Sequence, residues 1–151
     1  MDKLVIRVAE QNLTKIKELI NQGYDLNKPY NEHGWTPFTL AVAQKFQVSF
    51  INELIKLGGD VNQPIKDGRT PIMLSCISRI YPNVLKLLIN CGADINAQDK
   101  DGYTALMQVL KKNKQSVKNT FANILIDNGS DLTKLKNNQG QTALDMMING
   151  I

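Results

Sequence analysis

The stretch GADINAQDKDGYTAL, residues 92–106, decides the fold because degraded copies of it recur along the chain. The other copies are GYDLNKPYNEHGWTPF (residues 23–38), GGDVNQPIKDGRTPI (residues 58–72) and GSDLTKLKNNQGQTAL (residues 129–144). They keep the same order of features at a nearly constant spacing, which is typical of proteins built from one repeated supersecondary unit.

Each copy contains the signals that end one helix and begin the next. Its first glycine follows an apolar helical run, so it is suited to the left-handed conformation that ends a helix. A second glycine turns the chain again, and one residue later comes Thr-Pro or Thr-Ala. Threonine is a good N-cap, and proline suits the first helical position. The pattern therefore predicts a unit of loop, turn, helix and helix.

This pattern resembles the ankyrin repeat, whose units run from G-x-T-P-L through a second helix to G-A-D-V-N. The resemblance covers nearly the whole chain and implies an all-α solenoid of helix-turn-helix units joined by β-hairpin-like loops. It predicts a single domain of four repeats plus a truncated fifth. The predicted repeats are residues 1–30, 31–65, 66–98, 99–136 and 137–151.

One feature of the family is missing from this sequence. The family usually has histidine two residues after the proline, whereas these positions hold Thr39, Met73, Met107 and Asp145. The polar ties that this histidine usually makes between repeats are therefore not expected here. Apolar packing must carry more of each interface.

Composition places the chain among ordinary globular proteins. Its 151 residues with 42% hydrophobic content suit one domain, and a net charge of +4 is too small to require a polyanionic partner. The sequence has no signal segment or membrane-spanning run, and Cys76 and Cys91 are its two cysteines. A cytoplasmic protein without a disulfide is therefore expected.

Residues suited to catalysis or metal binding are few. His33, the sole histidine, falls in a predicted turn, Cys76 in a helix seam and Cys91 at a helix end. Residues 99–102 imitate the opening of a calcium loop but lack its twelfth-position glutamate. We therefore expect neither enzymatic activity, nor a metal, nor a cofactor.

The residue after each second glycine projects from its turn, so it is the strongest candidate for contact with a partner. These residues are Trp35, Arg69, Tyr103 and Gln141. Trp, Arg and Tyr are enriched at binding hot spots. By the register of the family, the stripe would continue along the concave face onto Gln44, Ile77, Ser78, Lys111 and Lys112. The alternative is that the aromatic residues cover the neighbouring turn.

Six lysines with few acidic neighbours make the fourth repeat basic. They are Lys111, Lys112, Lys114, Lys118, Lys134 and Lys136. This excess favours an acidic partner surface, and a solvated loop is the plainer interpretation. Nucleic-acid or polyanion binding through this repeat is the alternative function, although arginines and aromatics are not interleaved with the lysines.

The last predicted helix, residues 143–151, carries more apolar surface over residues 144–151 than one preceding repeat can cover. Terminal units of a solenoid need a polar outer side. We therefore expect part of this helix to stay exposed and to contact a second copy or a partner. The resemblance to ankyrin repeats implies a non-catalytic protein-binding module that acts as an inhibitor, an adaptor or a toxin-neutralising immunity protein.

Overall fold

The computed structural model describes residues 2–44, 46–78, 81–112 and 118–149, and all regular structure in these ranges is helical. The helices are α1 (Lys3–Ala9), α2 (Leu13–Asn21), α3 (Pro37–Ala43), α4 (Val48–Lys56), α5 (Pro71–Ser78), α6 (Pro82–Asn90), α7 (Ala105–Lys112), α8 (Lys118–Asp127) and α9 (Ala143–Asn149).

Helix starts follow the threonine signal of the sequence. The Thr36 side chain accepts a hydrogen bond from the backbone N–H of Thr39 at 3.0 Å, and the Thr39 hydroxyl accepts one from the N–H of Thr36 at 2.8 Å. This reciprocal capping box precedes Pro37, the first residue of α3. The glycines that follow the second helices adopt positive φ, as predicted, with φ +86° at Gly92.

The helices form two stacked rows. The two helices of a unit contact each other in the pairs α1–α2, α3–α4, α5–α6 and α7–α8. The inner row consists of α1, α3, α5, α7 and α9, each in contact with the next. The outer row contains α4, α6 and α8, which also pack in succession. Buried residues from successive pairs form two core clusters along the stack. The arrangement is the predicted all-α solenoid, in which each unit buries its apolar face against its neighbours.

Asparagines in the loops tie neighbouring units together. The Asn62 amide donates to the Gly92 carbonyl at 3.0 Å, and its side-chain oxygen accepts from the N–H of Asp94 at 2.7 Å. Asn27 and Asn96 make the same pair of bonds one unit before and one unit after. Gln63 and Gln98 add further side-chain bonds between units, so these polar ties come from side-chain amides and not from the family's histidine.

The residues at the histidine positions divide into two kinds. Met73 and Met107 are fully buried, which confirms the expected apolar packing. Thr39 and Asp145 instead cap their own helices. The N–H and hydroxyl of Thr142 donate to Asp145 at 2.8 and 2.7 Å, and these bonds lower the pKa of that carboxyl. Neither cap reaches a neighbouring unit.

The outer side of α9 is apolar and exposed, as predicted. Met146 is buried, whereas Leu144, Met147 and Ile148 are 38%, 43% and 72% exposed. Gly150 and Ile151, the last residues of the predicted segment, lie outside the described residues.

Candidate protein-binding face

The turns that carry the candidate residues are closed by backbone hydrogen bonds. Within each turn, the residue three before the second glycine accepts the N–H of that glycine, as in Gly68 N to Ile65 O at 2.9 Å. Between turns, the N–H of Lys66 donates to the His33 carbonyl and that of Lys100 to the Asp67 carbonyl, both at 2.9 Å. The tips therefore stack as one continuous edge.

The second glycines make this close stacking possible. A Cβ on Gly68 would lie 2.8 Å from the backbone nitrogen of Lys100, and one on Gly102 would lie 2.8 Å from the Cα of Asn137. Both glycines also have positive φ. Only a residue without a side chain satisfies both conditions.

Trp35 lines an open depression of about 330 Å³ between adjacent turn tips. Trp35 is half-buried and belongs to neither core cluster. Its backbone N–H donates to the Asn31 side chain and its carbonyl accepts from Tyr30, so its backbone position does not depend on the indole. We name this site the Trp35 depression, lined by His33, Trp35, Ile65, Lys66, Asp67, Arg69 and Lys100.

Arg69 connects this depression to a second one. Its Nε donates to Asp67 Oδ2 at 2.7 Å. Partial burial alone would raise the pKa of Asp67, but the hydrogen bonds and charge of Arg69 lower it overall. The pair therefore remains ionised near neutral pH and fixes the guanidinium between the two depressions.

The second depression, of about 490 Å³, brings Ile77 and Lys111 beside Arg69. Asp99 also lines it and accepts a hydrogen bond from Gln108 Nε2 at 2.6 Å. Three carboxylates and two cations line this space, so it has no strong preference for either charge. We name it the Ile77 depression, lined by Asp67, Arg69, Ile77, Asp99, Asp101, Gln108 and Lys111.

Tyr103 is not the exposed residue that its turn position predicted. It is only 6% exposed and belongs to a core cluster. Its hydroxyl donates to Gln139 Oε1 at 3.4 Å, and Lys111 Nζ lies 4.3 Å from the centre of its ring. The next turn and a cation–π contact therefore cover the ring, which is the alternative that the sequence had left open.

Three further predicted residues, Gln44, Ser78 and Gln141, line neither depression. Gln44 is exposed at the end of α3 and Ser78 is half-buried at the end of α5. Gln141 accepts a hydrogen bond from Asn137 Nδ2 at 3.0 Å, so its side chain stabilises its own turn. The side chain of Lys112 and all of Lys114 lie outside the described residues.

Five residues that line the Trp35 depression are absent from the predicted binding residues. His33 belongs to the same turn as Trp35, the next turn contributes Ile65, Lys66 and Asp67, and Lys100 belongs to the turn after that. The repeat spacing could have identified these residues. The residue after each second glycine lies beside the residues that precede the second glycine of the following copy, as Trp35 lies beside Lys66 and Asp67. One copy taken alone does not reveal this contact.

Of the groups suited to chemistry, His33 lines the Trp35 depression, and the two cysteines lie outside both depressions. Cys76 is buried, and burial raises the pKa of its thiol to about 12, so it stays protonated. The described residues contain no group of His, Cys, Asp and Glu that could hold a metal ion. Among the described helices, none has the length and apolarity to cross a bilayer.

Comparison with known proteins gives one family. The family model described as ankyrin repeats (3 copies) matches residues 4–99 and 80–150, which together span almost the whole chain. No protein among those with curated functions matches the sequence.

Proposed function

The chain belongs to the ankyrin-repeat family, and we propose that it is a non-catalytic module that binds a partner protein along its turn tips and inner helices. Ankyrin repeats are generally protein–protein interaction modules. We divide the domain into four repeats and a truncated fifth, at the boundaries that the sequence predicts. The role of inhibitor, adaptor or immunity protein depends on what the partner does.

The observation that carries the proposal is the pair of adjoining depressions. They bring Trp35, Arg69, Ile77 and Lys111 onto one surface, with the Asp67–Arg69 ion pair between them. An aromatic ring and an oriented guanidinium are the contacts most enriched at binding hot spots, and the aliphatic side chain of Ile77 lies beside them. The binding surface therefore comprises the two depressions, without Tyr103.

Trp35→Ala is expected to weaken partner binding strongly and leave the fold intact. The indole lies outside both core clusters, and a hot-spot truncation typically costs about 2 kcal/mol, or roughly 30-fold in affinity. The measurement is retention of partner from an extract of the source organism on the immobilised chain, followed by titration of the purified partner.

Tyr81→Ala is the matched control for this experiment. Tyr81 is an exposed aromatic residue before α6 and lines neither depression. Its loss should leave partner retention unchanged. Equal retention by wild type and Trp35→Ala would contradict the proposed surface. A loss of binding with added salt far steeper than a few exposed ion pairs would give favours the alternative, nucleic-acid binding through the basic repeat.

We extend the proposal to the exposed side of α9, which we expect to contact a second copy or the partner. Met147→Lys should place a charge in that contact because Met147 lies on the exposed side. Sedimentation of the parent should then show a species heavier than the monomer, or partner titration should show a weaker complex for the variant. A monomer in both proteins with equal partner affinity contradicts this contact.

We also propose a cytoplasmic location. Cys76 and Cys91 are both free thiols, which suits a reducing compartment. Fractionation of the source cells tests this location, and recovery of the protein only outside the cytoplasm would contradict it.

A further inference from the structure

The Trp35 depression carries more positive than negative charge. Lys66, Arg69 and Lys100 line it together with a single carboxylate, that of Asp67. The ion pair between Arg69 and Asp67 neutralises one cation. Within the described part of the chain, neither Lys66 nor Lys100 forms an ion pair. Two ammonium groups therefore remain free to bind an anion.

These two lysines occupy the same position in successive turns. Each comes directly before an aspartate and a glycine, and the N–H of each donates to the carbonyl of the preceding tip. The backbone bonds set the two turns at a fixed spacing. A ligand group between the tips can therefore meet both side chains.

Apart from its charged residues, the depression is lined by one exposed imidazole and two apolar side chains. His33 provides the imidazole, Trp35 provides a half-buried indole, and Ile65 is buried at the base of its turn. An aliphatic group can pack on the indole while a neighbouring anion faces the lysines. The chemistry fits a segment in which a carboxylate stands beside an apolar side chain.

We propose that the Trp35 depression binds an acidic segment of the partner protein, with a carboxylate held by Lys66 and Lys100 and an adjacent apolar side chain on Trp35. This inference rests on the proposed function and names the chemistry of the partner. A nucleic acid fits less well, because its phosphates would find only two free cations here, whereas phosphate binding draws its affinity from many such contacts.

The sole tryptophan of the chain reports directly on this site. Because Trp35 is the only tryptophan, its fluorescence follows occupancy of the depression without a label. The probe is a short capped peptide with a central leucine flanked by glutamates, compared with the same peptide carrying glutamines. The glutamate peptide should shift the emission saturably, with a Kd below about 1 mM.

Charge recognition should separate the two peptides and the variants. The glutamine peptide should bind at least about fivefold more weakly, since each partly exposed ion pair contributes modestly. The double variant Lys66→Gln, Lys100→Gln should bind both peptides equally. The control is the double variant Lys17→Gln and Lys86→Gln, which removes the same charge from α2 and α6. It should still bind the glutamate peptide more tightly than the glutamine peptide.

Three outcomes would overturn the inference. They are no saturable response to the glutamate peptide, equal binding of both peptides by the parent, and a preference that survives in the Lys66 and Lys100 variant. Tighter binding of a short oligothymidylate than of the glutamate peptide, compared at equal concentrations of negative charge, would also overturn the inference. The depression would then be a phosphate site. If Trp35→Ala loses the native partner while the Lys66 and Lys100 variant keeps it, the proposed function stands and the acidic segment does not.

Discussion

Gly102→Ala is expected to destabilise the protein far more than Gly92→Ala, although both glycines have positive φ, +79° and +86°. A left-handed alanine costs about 1–2 kcal/mol at either position. At Gly102 the new Cβ would also lie 2.8 Å from the Cα of Asn137, a backbone atom that cannot rotate away. The displacement of the next turn adds about 1–3 kcal/mol.

Gly92 is the matched control because it flanks the same repeat junction. A Cβ there would have no atom within 4 Å beyond its own residue and its two chain neighbours, so only the conformational cost remains. Thermal unfolding measures the difference, since each kcal/mol lowers Tm by about 2–4 °C in a protein of this size. Equal losses in the two variants would show that the turn tips are not packed as the structure has them.

Tyr103→Ala is expected to lower the free energy of unfolding by about 3–4 kcal/mol, as for other buried aromatic rings. The ring packs in the larger core cluster and is covered by Gln139 and Lys111. Denaturant unfolding would measure the loss. Stability equal to the parent would place the ring on the surface.

Two control variants separate the contribution of the Tyr103 ring from that of its hydroxyl and of its position in the turn. Tyr103→Phe loses only the long hydroxyl bond of 3.4 Å and should cost less than about 1 kcal/mol. Trp35→Ala changes the residue at the equivalent turn position and should shift stability by about 0.5 kcal/mol or less. Similar losses in Trp35→Ala and Tyr103→Ala would contradict the assignment of one to the surface and one to the core.

The sequence alone determined the elements and the spacing of the fold. Thr36 and Pro37 specify a helix start, and Gly92 specifies a helix end, because caps and left-handed turns depend on a few adjacent residues. The apolar residue between the polar ones of each loop is buried at Leu26 and Val61 and partly buried at Ile95 and Leu132. Local rules of this kind need no knowledge of the neighbouring unit.

The tertiary structure decided what each turn residue faces. The Asn62 bonds to the next unit and the assembly of the Trp35 depression both join residues that are a full repeat apart. The conformational preferences of neighbouring residues do not predict which residues of successive repeats come into contact. The sequence therefore predicted a stripe of candidates but not which of them share a surface.

Trp35 and Tyr103 show the physical reason most directly. Lys111, eight residues after Tyr103 in the following helix, covers the Tyr103 ring. The residue eight positions after Trp35 is Ala43, whose side chain is too short to reach the indole. Gln139, in the turn after Tyr103, also covers the ring. The residue at the same position in the turn after Trp35 is Asp67, which pairs with Arg69 instead of the indole. Identical backbone positions therefore become core in one repeat and surface in another, because burial depends on the neighbouring side chains.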